Sequence, residues 1–446
     1  MNKKFLAPFL VLAFICCMGL FCCQDSYDIT SSDTHFNFAD IAWMLTASGL
    51  VLLMTPGLSF FYGGMVSKKN IISTMLQSFI AMGVITMLYV FVGFSLCFGD
   101  SFHGLIGNPM TFFMFRNVNL NTNAVLAPTI PLLLFALFQL KFAIITPALI
   151  TGSFAERVKF NAYLLFICLF SIFIYCPLAH WTWHPDGFLR KLGVLDFAGG
   201  TVVHMSAGYA ALAGAIILGR RTSAGSNVHQ EPANIPYVIL GTGMLWFGWF
   251  GFNAGSSLAA NATAVLAFAT TMVASASAML AWIFFDAVRG KKVSAMGACI
   301  GAVVGLVAIT PAAGYVTVPH AMFIGFVASI ISNLAVTTKN KSKIDDTLDV
   351  FPCHGVGGIT GMILTGVFAK DSGLYYGHTQ TFLYHMLALL IVSVFTFGGS
   401  YILYKITELV VPLRVSLQDE IDGLDYTQHG ETYKLKKPAQ QPVSIN

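Results

Sequence analysis

Two histidines stand in matching settings, His204 opening the string HMSAG and His354 the string HGVGG, so that both read H-x-x-x-G at a separation of 150 residues. His354 is the lone titratable side chain of ordinary acid–base chemistry in a run from Val350 to Ala369 that carries no Asp, Glu, Lys or Arg. A charge at the centre of a bilayer costs at least ~3 kcal/mol even on the most lenient scale, so both rings are expected to be neutral. A neutral imidazole offers one donor and one acceptor, which suits a small polar solute or a proton passing between sites. The bland alternative is a packing histidine bonded to a backbone carbonyl.

A second constellation lies in LWFGWFGFNAGSS, residues 245 to 257. Trp249 and Phe252 are three apart and share a helix face, with Ser256 one turn further along the same stripe. Aromatic faces attract small cations by ~0.5 to 2 kcal/mol each when desolvated. A serine hydroxyl adds an acceptor for an N–H donor. Taken alone, such a stripe is more often helix packing or an interfacial belt. Asp196 stands eight residues before His204, where it is expected to cap a helix through backbone N–H groups. Asp349, five residues before His354, takes the same reading.

The elements that would position these groups are membrane helices. The chain has 446 residues, 56% hydrophobic and 10% charged, with 39 Phe, 41 Gly and a mean hydropathy of +0.74. A span needs about 20 apolar residues. Windows free of Asp, Glu, Lys and Arg run 41 to 67, 70 to 99, 117 to 140, 160 to 185, 197 to 219, 232 to 285, 293 to 338, 350 to 369 and 372 to 404. Two of them hold two spans each, broken by NAGSSLAAN and TPAAGYVTVPH. The third window opens on polar NVNLNTNAVLAP, so its helix is expected at about 129 to 153 with Lys141 inside. The expectation is an all-α polytopic membrane protein of eleven transmembrane helices, an inverted 5+5 repeat plus one long C-terminal helix. An odd number of crossings per unit inverts the second, placing the two histidines near a pseudo-two-fold axis at the midplane.

Residues 1–24 have two lysines, an apolar core and a polar exit, the layout of a signal peptide, though no clean A-x-A site is visible; the alternatives to plain cleavage are a twelfth helix and lipid attachment at Cys22 or Cys23. The remaining cysteines fall in apolar spans, and no disulfide framework is implied. Of the 24 basic residues, 17 collect in alternate loops and the tail. By the positive-inside rule the mature N-terminus is outside and the C-terminus cytoplasmic. The +4 formal charge is thus a topology effect, and no nucleic-acid partner is read into it. The membrane unit covers 38–412, with repeat one at about 40–220, repeat two at about 232–370 and the last helix at about 380–412, followed by a charged tail, 413–446.

TPGLSFFYGGMV (55 to 66), FQLKFAIITPALITGSFAERVKF (138 to 160), LDFAGGTVVH (195 to 204), GWFGFNAGS (248 to 256), GLVAITPAAGY (305 to 315) and DVFPCHGVGGITG (349 to 361) together resemble the ammonium transporter family, in its bacterial ammonium transporter branch rather than the Rhesus branch. The resemblance runs in order over about residues 38 to 430. It implies a homotrimer in the lipid bilayer of the cell inner membrane, with ammonium or ammonia as substrate, a pore through each monomer and no cofactor. It makes Trp183, Phe142 and Ser256 an outer ammonium site supported by Asp196, Phe142 and Phe252 a gate of stacked rings, and His204 and His354 a twin-histidine pair in the pore, with Trp249 beside them. It makes the tail a regulatory element that packs under the neighbouring subunit and meets a PII signalling protein, with Gly423 and Asp425 at the matching positions. Composition alone allows a disordered tail.

Lys141 departs from the family, which has an uncharged residue there; a cation near the mouth opposes cation entry unless it snorkels to the headgroups or is paired. Three functions compete: an ammonium transporter, an ammonium sensor acting through its tail and a PII-type partner, and an intramembrane hydrolase with a histidine-held metal. The last lacks H-E-x-x-H or a closely spaced third ligand, so no enzyme and no metal site is expected.

Overall fold

The structure, a computed structural model, describes residues 5–22, 35–222 and 231–433. Residues 1–4 and 23–24 of the expected signal, Cys23 and the tail beyond 433 lie outside the described residues. Among the described residues ten helices are long and apolar enough to cross a membrane: Phe38–Met65, Ile71–Phe98, Leu132–Phe154, Phe160–Leu192, Gly200–Leu218, Ile235–Gly255, Ala262–Val288, Val318–Lys341, Phe351–Phe368 and Thr379–Val410. Between the seventh and ninth elements of the eleven-helix series stands Ala295–Ile309, with 15 residues. The series is counted here in chain order, so that this short helix is the eighth crossing. Leu6–Cys22 is a further apolar helix whose side chains are mostly exposed.

Asparagine and serine set several helix starts. Asn37 accepts from Ala39 and Asp40 N–H at the first crossing, Asn234 and Asn261 do the same for the sixth and seventh, and Ser294 for the eighth. Each satisfies a backbone donor that the helix itself leaves free. The polar stretch ahead of the third crossing forms a small hairpin, Thr122–Asn123 against Ala127–Pro131.

At 1.5 Å per residue the eighth crossing is about 22 Å long, short of a 30 Å hydrocarbon core. The remaining depth is covered by the turn after it, TPAAGYV, which is largely buried. Irregular backbone survives at membrane depth only where protein satisfies it. Here Pro311, Ala313 and Tyr315 carbonyls accept from Phe197 N–H, the Thr270 hydroxyl and Lys370 N–H.

The third and fifth crossings are the most enclosed, with 83% and 78% of their apolar windows buried, whereas the eleventh has 28% and wraps the outside. At the centre the fifth and tenth cross through their H-x-x-x-G motifs. A Cβ on Gly208 would strike the backbone of Gly355, and one on Gly358 would press on the Cβ of His204 at 3.3 Å. Each motif glycine therefore lies against the other motif's histidine segment. Both histidines also sit in π-helical turns, Gly200–Met205 and Phe351–Val356.

The described part of the tail, through Tyr433, folds back on the membrane helices. Two short helices, Leu417–Asp422 and Leu424–His429, meet at Gly423, whose φ of +102° and contact with Lys69 leave no room for a side chain. Asp425 accepts from Ser73 N–H at 2.8 Å and Ile72 N–H at 3.1 Å, capping the second crossing from outside its own sequence. Lys69 Nζ donates to the Glu420 and Ile421 carbonyls. Nearby, Arg221 joins Asp345 and Glu156 at 2.9 and 2.7 Å. Burial alone would raise the Asp345 carboxyl, but the Arg221 guanidinium holds it down to about 2. Removing an N-cap costs about 1 kcal/mol. Asp425→Ala is therefore expected to speed hydrogen exchange at the Ile72 and Ser73 amides about fivefold, which mass-resolved exchange of the detergent-solubilised protein measures.

Candidate functional site: a vestibule, two rings and two imidazoles

A cavity of about 450 Å³ opens on the face opposite the tail, lined among others by Gln139, Phe142, Thr182, Trp183, Asp196, Ser256 and Tyr315. Four crossings and the turn after the eighth supply these side chains. Gln139 and Phe142 lie three apart on the third, and Trp183 ends a helical stretch, Cys176–Trp183, within the fourth. Ser256 follows the last residue of the sixth, and its hydroxyl donates to the Phe252 carbonyl at 2.8 Å. Its lone pairs are left to accept.

Below the cavity the rings form a continuous series. Phe142 meets Trp183 edge-on at 5.6 Å and lies over Phe252 at 4.2 Å with 30° between planes. Phe252 is 6.0 Å from His204, which stacks on Trp249 at 5.3 Å and on His354 at 5.4 Å. The two Nδ1 atoms are 3.3 Å apart, and His204 Nε2 is buried without a partner. A shared Nδ1–Nδ1 bond requires one ring to donate and the other to accept. Trp249 Nε1 donates to the Thr310 hydroxyl at 2.9 Å, tying the sixth crossing to the end of the eighth. Phe142, Phe252 and both histidines are 3% exposed or less.

Asp196 is taken up by structure. Its carboxylate accepts from Gly199, Gly200 and Thr201 N–H and from the Thr201 hydroxyl, while its carbonyl accepts from Trp183 Nε1 at 3.2 Å. The tenth crossing is capped differently from the expectation at Asp349. Asp349 sits at φ +58° with its carboxylate paired to Lys339 at 2.7 Å, and the cap is Asp346, which accepts from Phe351 N–H at 2.7 Å. The missed signal was simple: Asp346 precedes His354 by eight residues, as Asp196 precedes His204.

Lys141 lies with Leu133 and Leu137 on the half-exposed stripe of the third crossing, away from the residues that line the cavity. Gly423 and Asp425 lie at the other face, in the tail. Among the described residues no group of three His, Cys, Asp or Glu side chains could hold a metal ion.

Fold and site define a polytopic helical membrane protein with a cavity floored by stacked rings and, beneath them, two adjacent imidazoles. The family model described as "Ammonium Transporter Family" matches residues 42–434, and the chain belongs to that family. It is 45% identical over 409 residues to an ammonium transporter of Aquifex aeolicus, covering 90% of this chain and 94% of that one. The crystal structure of Candida albicans Mep2 superposes with a TM-score of 0.81 at 35% identity, covering 86% of this chain and 88% of that one. A solved "Sensor Amt Protein" gives a TM-score of 0.81 at 30% identity, covering 88% and 98%.

Hydrogen bonds to a charged partner contribute roughly 1.5 to 3 kcal/mol each. With four bonds at Asp196, Asp196→Ala is expected to lower the thermal midpoint in detergent further than Asp346→Ala. Equal midpoints for the two variants would contradict the cap assignment.

Proposed function

We propose that this ammonium transporter recruits ammonium at the vestibule, strips its proton, and passes ammonia through the ring-plugged passage. The observation that supports this best is the unbroken series Trp183, Phe142, Phe252, His204, His354, in which an apolar plug leads directly to two neutral donor–acceptor rings. The vestibule offers what a cation needs: the faces of Phe142 and Trp183 and the free lone pairs of Ser256. The plug offers it nothing, since burying the charge among Phe side chains costs several kcal/mol.

Potassium resembles ammonium in size and charge, so a cage of oxygens would discriminate between them poorly. Losing a proton is open to ammonium alone. NH4+ becomes NH3 plus a proton; the proton moves along the imidazole pair, one Nδ1–H toward the other Nδ1, and NH3 uses the same rings as hydrogen-bond partners. The two recombine on the far side, so that one positive charge crosses per ammonium. In this reading Trp249 holds the His204 ring flat, and Asp196 sets the fifth crossing that carries it.

The vestibule then faces outward and the tail faces the cytoplasm, in an inner-membrane homotrimer whose leader has been removed. The regulatory reading of Gly423 and Asp425, including a PII-type partner, is supported by the tail's seat on the second crossing. The ordered tail also favours a sensing role beside transport.

In liposomes holding the purified protein, ammonium-evoked current is expected to fall about 100-fold in His204→Ala, the lower bound usual for a positioned proton-transfer group. His204→Asp and His354→Asp are expected to carry potassium where the parent does not; variants no leakier than the parent would sink the filter. Truncation after Leu413 is expected to abolish the response of uptake to nitrogen supply in cells, and an unchanged response would remove the regulatory reading.

A further inference from the structure

One buried imidazole outside the passage has both of its nitrogens committed. His385, in the eleventh crossing, is 0% exposed. Its Nδ1 lies 2.8 Å from the Met362 carbonyl of the tenth crossing, and its Nε2 accepts from Leu195 N–H at 3.0 Å. A carbonyl only accepts and an amide only donates, so these two partners fix the neutral tautomer with its hydrogen on Nδ1. Leu195 belongs to the segment Val194 to Phe197, which walls the cavity and leads into the fifth crossing. Three amides of this segment are anchored to other elements: Val194 to the Leu189 carbonyl, Leu195 to His385, and Phe197 to the Pro311 carbonyl. Of the three anchors, the one at Leu195 can be titrated. Between them the Asp196 carbonyl accepts from Trp183 Nε1, and the Asp196 carboxylate caps the helix that carries His204.

We propose that His385 is a positioning residue for this segment and that it must be neutral to act, so that acid on the vestibule side weakens transport through the loss of one acceptor. This rests on the reading of Trp183 as part of the recruitment site. A protonated ring donates from both nitrogens, and it then turns an N–H against the Leu195 N–H with no lone pair between them. The Leu195 amide is left without its partner, the segment loses the anchor that fixes its course, and Trp183 loses the fixed carbonyl that orients its indole. Little around the ring holds a charge there. The tenth crossing presents the Met362 carbonyl and Gly366. The segment brings the Asp196 carboxylate within electrostatic reach, but three amides and the Thr201 hydroxyl already bond it. Arg190 and Lys191, just before the segment, turn instead to the Trp183 carbonyl and to Asp186.

The test uses the full-length protein in liposomes, with half-saturation read from ammonium current between about pH 7.5 and about pH 4.5 on the vestibule side, a window spanning the ordinary imidazole range. Glutamine can keep both bonds, its carboxamide oxygen accepting from Leu195 and its nitrogen donating to Met362, and it does not titrate. His385→Gln is therefore expected to match the parent at the upper end of the window and to show a half-saturation about three- to tenfold lower than the parent at the lower end, corresponding to one hydrogen bond. His385→Leu, which can make neither bond, should be weaker than the parent by about the same factor at the upper end. Should the leucine variant fail to assemble, the glutamine comparison still decides. Parallel pH curves for the parent and His385→Gln, or a His385→Leu variant equal to the parent at the upper end, would overturn the proposal and leave the recruitment reading standing. A half-saturation unmoved by Trp183→Ala would overturn that reading instead.

Discussion

The close crossing of the fifth and tenth helices is the constraint on which the remaining architecture hangs. Two imidazoles can share a bond in the middle of a membrane only if their backbones approach within side-chain contact, and a Cβ at Gly208 or Gly358 would push them apart. Membrane helices associate largely through such small residues, because lipid offers no hydrophobic drive between them. The reciprocal arrangement, each glycine against the opposite histidine's segment, turns one sequence motif used twice into a single packing unit. Everything else is held around it: the third crossing brings Phe142, the sixth brings Phe252 and Trp249, and the eighth supplies Thr310 to hold the tryptophan.

The two ends of this unit are related but unequal. Asp196 and Asp346 stand at the same offset from their histidines and each bonds an amide five residues on, Thr201 or Phe351. Asp196 is saturated, whereas one oxygen of Asp346 is buried without a partner, and burial pushes that carboxyl up to about 6. The cap at the vestibule end is therefore the fully hydrogen-bonded one. The tail end relies on ion pairs, Lys339 with Asp349 and Arg221 with Asp345, and on the cap that Asp425 delivers from the tail.

Much of this was legible in the amino-acid order. Charge-free windows mark helices because lipid tolerates little else, and the H-x-x-x-G string that occurs twice marks the two segments that pack against each other. Asp346 was hidden by Asp349, the acid nearer to the histidine; the choice between them depends on a positive φ that composition does not reveal. Composition alone allowed a disordered tail because its charges read as solvated, whereas Asp419 and Asp425 are spent on helix starts. The two bonds of His385 could not be read at all, since its partners Leu195 and Met362 stand 190 and 23 residues away along the chain.

The wide turns at His204 and His354 carry a genetic consequence. A π-helical turn arises when one extra amino acid is accommodated in an otherwise regular helix. Loss of a single codon between Gly200 and Met205, or between Phe351 and Val356, would close the wide turn to an ordinary one, leaving the flanking turns in register but moving the ring that the turn presents. The same loss elsewhere in either crossing would turn every residue beyond it by about 100°, so a deletion that keeps the reading frame disturbs the histidine when it falls in the wide turn and the packing of the whole remaining helix when it falls outside.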